Sequence, residues 1–199
     1  MKKLILFTLI NMFLFTAGLF SQQIIIKNVK VKDMNGIDVS TVKPKIEFDN
    51  FSVYPGSYVK LCAQLTLIVQ DTSIPSITLG VDEMNFEIFK FKSGSNPLDP
   101  ASTPPLRTIP ITENLPERCF NLGGTGGCSA IPGSWTSGDI CSVWDGNYSI
   151  DGFWGKTNGI FGFRVTAKTN RVSGPAGIIN IQTTSAFPGQ NQNPINVDV

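Results

Sequence analysis

The chain has 199 residues, with 16 Lys and Arg against 15 Asp and Glu, and it contains no histidine. That length suits one domain with extra strands, or one domain and part of another. Without histidine there is no Ser-His-Asp or Cys-His triad and no histidine metal site, and with a charge near zero and no basic run, nucleic acid is not expected as a partner.

The chain opens MKKLILFTLINMFLFTAGLFSQQ. Lys2 and Lys3 form a basic start, Leu4 to Phe20 an apolar run, and Ala17, Gly18 and Ser21 place small residues near its end. This is the layout of a secretory signal peptide over residues 1–21, cut after Ser21. The competing reading is a membrane anchor of about 17 residues, near the short limit for spanning. Gln22 follows and no cysteine lies nearby, which disfavours a lipid anchor. Removing 21 of 199 residues leaves a mature chain of 178, with 14 bases against 15 acids and a net charge of about −1. The expected location is secreted or at the bacterial cell surface or outer envelope, with the membrane met only during export.

Beyond the signal no helix-period stretch appears. Short β-rich runs alternate with Gly, Pro, Asn and Ser, which predicts an all-β, antiparallel sandwich. Ile24 to Lys32 gives a first strand, Asn35-Gly36 a turn, and Lys45 to Val53 a second strand; residues 22–48 are read as N-terminal strands of the sandwich. Tyr58 to Val69 places Val59, Leu61, Ala63, Leu65, Leu67 and Val69 on one face. Asp82 to Phe91 puts Met84, Phe86 and Ile88 on one side and Phe89 and Phe91 on the other. Ser93 to Pro105 reads as an exposed loop, Leu106 to Ile111 as a short strand, and residues 116–138 as a long Gly-rich, cysteine-bearing connection. Ile140 to Trp144, Gly159 to Thr169 and Gly177 to Thr183 complete the strands. Residues 187–199 read as a linker and then Ile195 to Val199, an alternating run of the kind that opens a following domain or folds back onto Ile24 to Lys32.

Four cysteines in an exported chain suggest disulfides, and four allow three pairings. Cys119 and Cys128 enclose NLGGTGG, a loop able to close locally, which leaves Cys62 and Cys141 to pair across the fold. The absence of any CxxC speaks against a metal site.

In Gly159 to Thr169, Phe161, Phe163, Val165 and Ala167 point one way, and Ile160, Gly162, Arg164, Thr166 and Lys168 point to a wet face. Trp144 reads as a core plug, Asp145 as a turn cap and Gly146 as a source of positive φ. A strand ending Val143-Trp144-Asp145-Gly146, followed by Gly159, Phe161, Phe163, Arg164, Val165 and Ala167, resembles the Ig-like domain of the flagellar hook-capping (FlgD-type) family. Phe86 to Gly94 and Arg107-Thr108-Ile109 are similar to that family's upstream strands. The resemblance covers roughly Asp49 to Asn170 and implies an Ig-like or fibronectin-III-like sandwich over residues 49–186, with long insertions at 94–105 and 116–138. It also implies a spacer or scaffold in a large exported surface protein, with no catalytic residues.

Other chemistries are weaker. Asp145 and Asp151 form a carboxylate pair of the kind a glycosidase needs, though turn capping explains Asp145 more simply. Asp145, Asn147 and Asp151 space oxygen ligands at i, i+2 and i+6, a spacing open to calcium; no other cofactor is expected. There is no GxSxG, P-loop or HExxH. Trp135, Tyr148 and Trp154 sit near Gly- and Ser-rich turns, where exposed aromatics stack on sugars. The alternatives are therefore a carbohydrate-binding module using these rings, or rings that cover the sandwich edge. The expected partners are other surface-protein domains or extracellular glycans.

Overall fold

The computed structural model describes residues 22–47, 58–92, 94–150, 153–155, 158–169, 172–173, 181–189 and 191–198. The signal-like segment lies outside them. In chain order the strands are β1 (Gln22–Lys32), β2 (Lys45–Glu47), β3 (Val59–Val69), β4 (Ser76–Gly80), β5 (Glu83–Lys90), β6 (Arg107–Ile111), β7 (Glu117–Leu122) and β8 (Ser129–Ile131). They continue with β9 (Gly133–Thr136), β10 (Ile140–Trp144), β11 (Tyr148–Ile150), β12 (Phe153–Gly155), β13 (Gly159–Thr169), β14 (Val172–Ser173), β15 (Ile181–Phe187) and β16 (Ile195–Asp198). Among the described residues there is no helix, and so none long and apolar enough to cross a membrane.

Two sheets enclose the core of a β-sandwich. The first runs β1-β3-β10, with β9 pairing β3 beyond the end of β10. The second runs β2-β16-β13-β5-β6, with β15 pairing the other half of β13. The alternation of β3 gives its reason: Val59, Leu61, Ala63, Leu65, Leu67 and Val69 are all buried, since successive side chains point to opposite faces. From the second sheet Met84, Phe86 and Ile88 meet them, with Phe161, Phe163, Val165 and Ala167 beside these, in one apolar cluster. Phe163 stacks on Phe187 at 5.1 Å and tilts against Phe86 at 5.7 Å. The outer edge of β6 carries Pro110, which has no N–H to offer a further strand.

A third sheet, β14-β4-β7-β8, corrects the reading of residues 116–138 as one long connection. Glu117–Leu122 pairs with β4, a strand whose pattern in SIPSITLG is too short to stand out. Ser129–Ile131 returns parallel to β7, and Gly133–Thr136 pairs β3. Parallel neighbours usually need a long crossover. Here Gly123, Gly124, Gly126 and Gly127 all take positive φ, so the chain doubles back within a few residues. The Cys119–Cys128 disulfide closes that loop.

Three further expectations change. Cys62 and Cys141 do pair, but they are opposite partners on neighbouring strands β3 and β10, so the bridge lies within a sheet rather than across the fold. The antiparallel expectation fails at two places, since β7–β8 and β2–β16 are parallel. Ile195–Asp198 neither opens a separate sheet nor pairs with β1; it runs between β13 and β2, with Ile195 and Val197 buried.

Candidate functional site

The motif residues form a corner between the sheets. The β10 strand ends as Asp145 folds back and Gly146 adopts φ 80°. Asp145 Oδ1 accepts the backbone N–H of Asn147 at 3.1 Å, an Asx turn. Arg107 on β6 donates through Nη1 to Asp145 Oδ1 at 2.9 Å and to the Asn147 carbonyl at 3.1 Å. That carbonyl also accepts the indole N–H of Trp144 at 2.9 Å. Trp144 is buried and meets Phe161 edge-on at 5.4 Å, so its polar handle is satisfied while its ring plugs the core. Burial pushes the Asp145 carboxyl up, but hydrogen bonds from Asn147 and Arg107, with the Arg107 charge, outweigh it and hold the group below its ordinary range.

The same geometry bears on the calcium and glycosidase readings. The Arg107 guanidinium already supplies Asp145 with a positive charge, and the Asn147 amide donates to Asp145 Oδ2. Asp151 lies outside the described residues. Among the described residues no three acidic, cysteine or histidine side chains gather as a metal site.

Arg164 departs from expectation. Its alternation places it on the outer face of β13, yet it is only 1% exposed. Its Nε donates to Glu87 Oε2 at 2.7 Å, directly across from it on β5. Its Nη1 reaches the carbonyls of Pro97 and Thr103 at 3.3 and 3.4 Å, and the Thr103 hydroxyl at 3.3 Å. The loop expected to be solvated therefore folds over the sheet and covers this cation. Gly162 belongs to the same patch: a Cβ there would lie 2.8 Å from the Phe89 ring and 2.5 Å from the Phe187 carbonyl oxygen. The wet face expected for β13 is thus interrupted at Gly162 and Arg164, with Ile160 exposed before them and Thr166 and Lys168 half-exposed after them.

Of the three candidate sugar-stacking rings, Trp135 is not in a loop. It sits on β9 opposite Leu67 and packs, half-buried, against the core. Tyr148 and Trp154 lie on the β11–β12 hairpin, opposite Gly155 and Ser149; their side chains lie outside what is described.

The outer face of the β1-β3-β10 sheet gathers residues that the sequence disperses. On the N-terminal half of β1 the odd positions face outward, with Ile24 and Ile26 buried. A bulge between Lys27 and Lys30, with Asn28 at φ 50°, then inverts the parity, so that Val29 and Val31 are buried and Lys30 and Lys32 face out. Lys27, Lys30 and Lys32 therefore share one face, which strict alternation would forbid. Lys60 lies opposite Lys32 on β3. Asp139 takes Lys30 at 3.0 Å, Lys32 at 2.6 Å and the Gln64 amide at 2.9 Å, and Asp38 bridges opposite Lys32. Burial raises the Asp139 carboxyl, and these donors more than reverse it, leaving it lowered. Thr66 and Thr136 share a 2.9 Å hydrogen bond on the same face.

A separate cavity of about 310 Å³ is lined by Met34, Val39, Val42, Pro44, Tyr58 and Val59 beside the turn after β1. It is apolar, with Lys43, Lys45 and Asp33 at its border.

No family model matches the chain, and no curated protein matches it either.

Proposed function

We propose that this chain is an exported, non-enzymatic, Ig-like structural and interaction module of a bacterial secreted or cell-surface protein, similar in kind to the Ig-like domain of the flagellar hook-capping family. The strand order carries the proposal. The path β1-β3-β10 facing β6-β5-β13-β15 corresponds to A-B-E facing C′-C-F-G, with the connections switching sheets as an Ig-like Greek key does. The use of the motif residues supports the same reading: Trp144, Phe161, Phe163 and Val165 pack the core, Asp145 pairs with Arg107, and Arg164 pairs with Glu87. Two disulfides suit an oxidising compartment. Two features are this chain's own: the inter-strand bridge lies within a sheet where antibody domains link the B and F strands, and the third sheet has no counterpart in that plan.

The test is a turnover panel of glycosides, esters and peptides, run beside fractionation of the producing cell. Background rates with protein recovered outside the cytoplasm are expected. Turnover that Asp145→Asn abolishes, or a cytoplasmic protein with four free thiols, would overturn the proposal.

A further inference from the structure

We infer that the outer face of the β1-β3-β10 sheet is a docking surface for a linear anionic polysaccharide, one whose sugars carry carboxylate or sulfate groups as well as hydroxyls. The inference rests on the interaction-module reading and names that module's partner.

Charge is the first ground. Among the described residues Lys27, Lys30, Lys32 and Lys60 stand on this face against Asp139 and against Asp38, which bridges opposite Lys32, about +2, on a chain whose mature charge is about −1. Asp33 and Asp38 follow in the turn beyond β1, where they accept backbone N–H groups of Ile37 and Ser40. The lysines form a line because of the bulge: if this sequence ran as a regular strand, Lys27 would face away from Lys30 and Lys32. Bulges re-aim side chains in this way. Successive outward positions on a strand are about 6–7 Å apart, so the row offers repeated cationic contacts along one line, which suits a polymer better than a single small anion. Asp139 holds Lys30 and Lys32 in place, reducing the rotamer freedom that binding would otherwise have to remove.

The character of the remaining residues selects among polyanions. Beside the lysines lie Gln64, Thr136 and Ser134, amides and hydroxyls that pair with sugar hydroxyls. The described part of the face carries no aromatic ring on which bases would stack, as single-stranded nucleic acid binding requires. Its apolar side chains are the half-buried Ile25 and Ile68 and the exposed Val143, which lies opposite Lys60, too few for the broad apolar face that inserts into a bilayer.

The experiment uses the oxidised full-length protein from an export host, with polygalacturonate and heparin as immobilised probes. Vesicles of phosphatidylcholine with phosphatidylglycerol, and single-stranded DNA, form the other arms. Retention on the polysaccharides that falls with salt is expected. Lys27→Glu with Lys30→Glu should weaken it roughly tenfold or more, whereas Lys168→Glu on the opposite sheet should leave it unchanged. Lys27→Glu alone, at an exposed position without an ion pair among the described residues, keeps the test valid if the double variant misfolds. Asp139→Asn should tighten binding, the loss of its negative charge outweighing the looser hold on Lys30 and Lys32. Absence of retention, insensitivity to Lys27→Glu, or equal binding to vesicles or DNA would overturn the inference. Those results would leave the module proposal standing, because it fails on turnover or free thiols instead.

Discussion

Arg164 and Glu87 face each other across β13 and β5, with Nε and Oε2 2.7 Å apart, beneath a loop whose two backbone carbonyls and one hydroxyl oxygen accept from the same guanidinium. A buried cation so held ties the loop to the sheet. Removing one partner of such a pair is costly because the other is left behind. Arg164→Met should lower stability by about 2–4 kcal/mol, less than the full buried-pair cost because Glu87 keeps 20% exposure. The same variant should open the segment 94–105 to limited proteolysis. Unchanged cleavage in that loop would show that Arg164 does not anchor it.

The Asp145 corner makes stability pH-dependent. Its carboxyl is held below the ordinary value of 3.8 in the folded chain. The unfolded chain therefore binds a proton first as pH falls, so the corner stabilises the fold fully above that ordinary value and loses its contribution as pH drops through the lowered one. Asp145→Asn should cost about 1–2 kcal/mol at neutral pH, since both partners are partly wet, and should flatten the acid limb. Chemical denaturation from pH 7 down to about pH 2 checks this, and parallel acid limbs for the two proteins would contradict it.

The tail supplies a third test. Phe187 stacks on Phe163, and Ile195 and Val197 are buried between β13 and β2. Fully burying such side chains is worth about 1.5–3 kcal/mol each. Deleting residues 187–199 should therefore lower the melting temperature by many degrees. A shift of only a degree or two would mean that β16 is dispensable to the sandwich.

How far the sequence spoke depended on how far period-2 patterning holds. Tyr58 to Val69 and Gly159 to Thr169 alternate cleanly, and their core faces were legible residue by residue. Cys119–Cys128 was legible because the glycines of NLGGTGG allow the chain to turn back on itself between the two cysteines. Where alternation breaks, the sequence misled. The bulge after Lys27 changes parity by one residue, so a row of lysines on one face does not stand out as a basic run. Arg164 sits at an outward position, and only a loop about 60–70 residues earlier in the chain reveals that it is buried. Trp135 is preceded by Gly133 and Ser134, which read as loop, although β3 recruits the segment as a strand. Ile195 to Asp198 alternates as any strand does, and a pattern cannot name the neighbour it will pair with.

The central claim, an exported sandwich held in this strand register, is tested most directly by disulfide mapping of the unreduced protein from its native compartment. The Cys62–Cys141 bridge requires β3 and β10 to be neighbours in register, and Cys119–Cys128 requires the Gly-rich loop to close on itself. The account predicts peptides linked in those two pairings and no free thiol. Any other pairing would contradict the register, and four free cysteines would contradict the export.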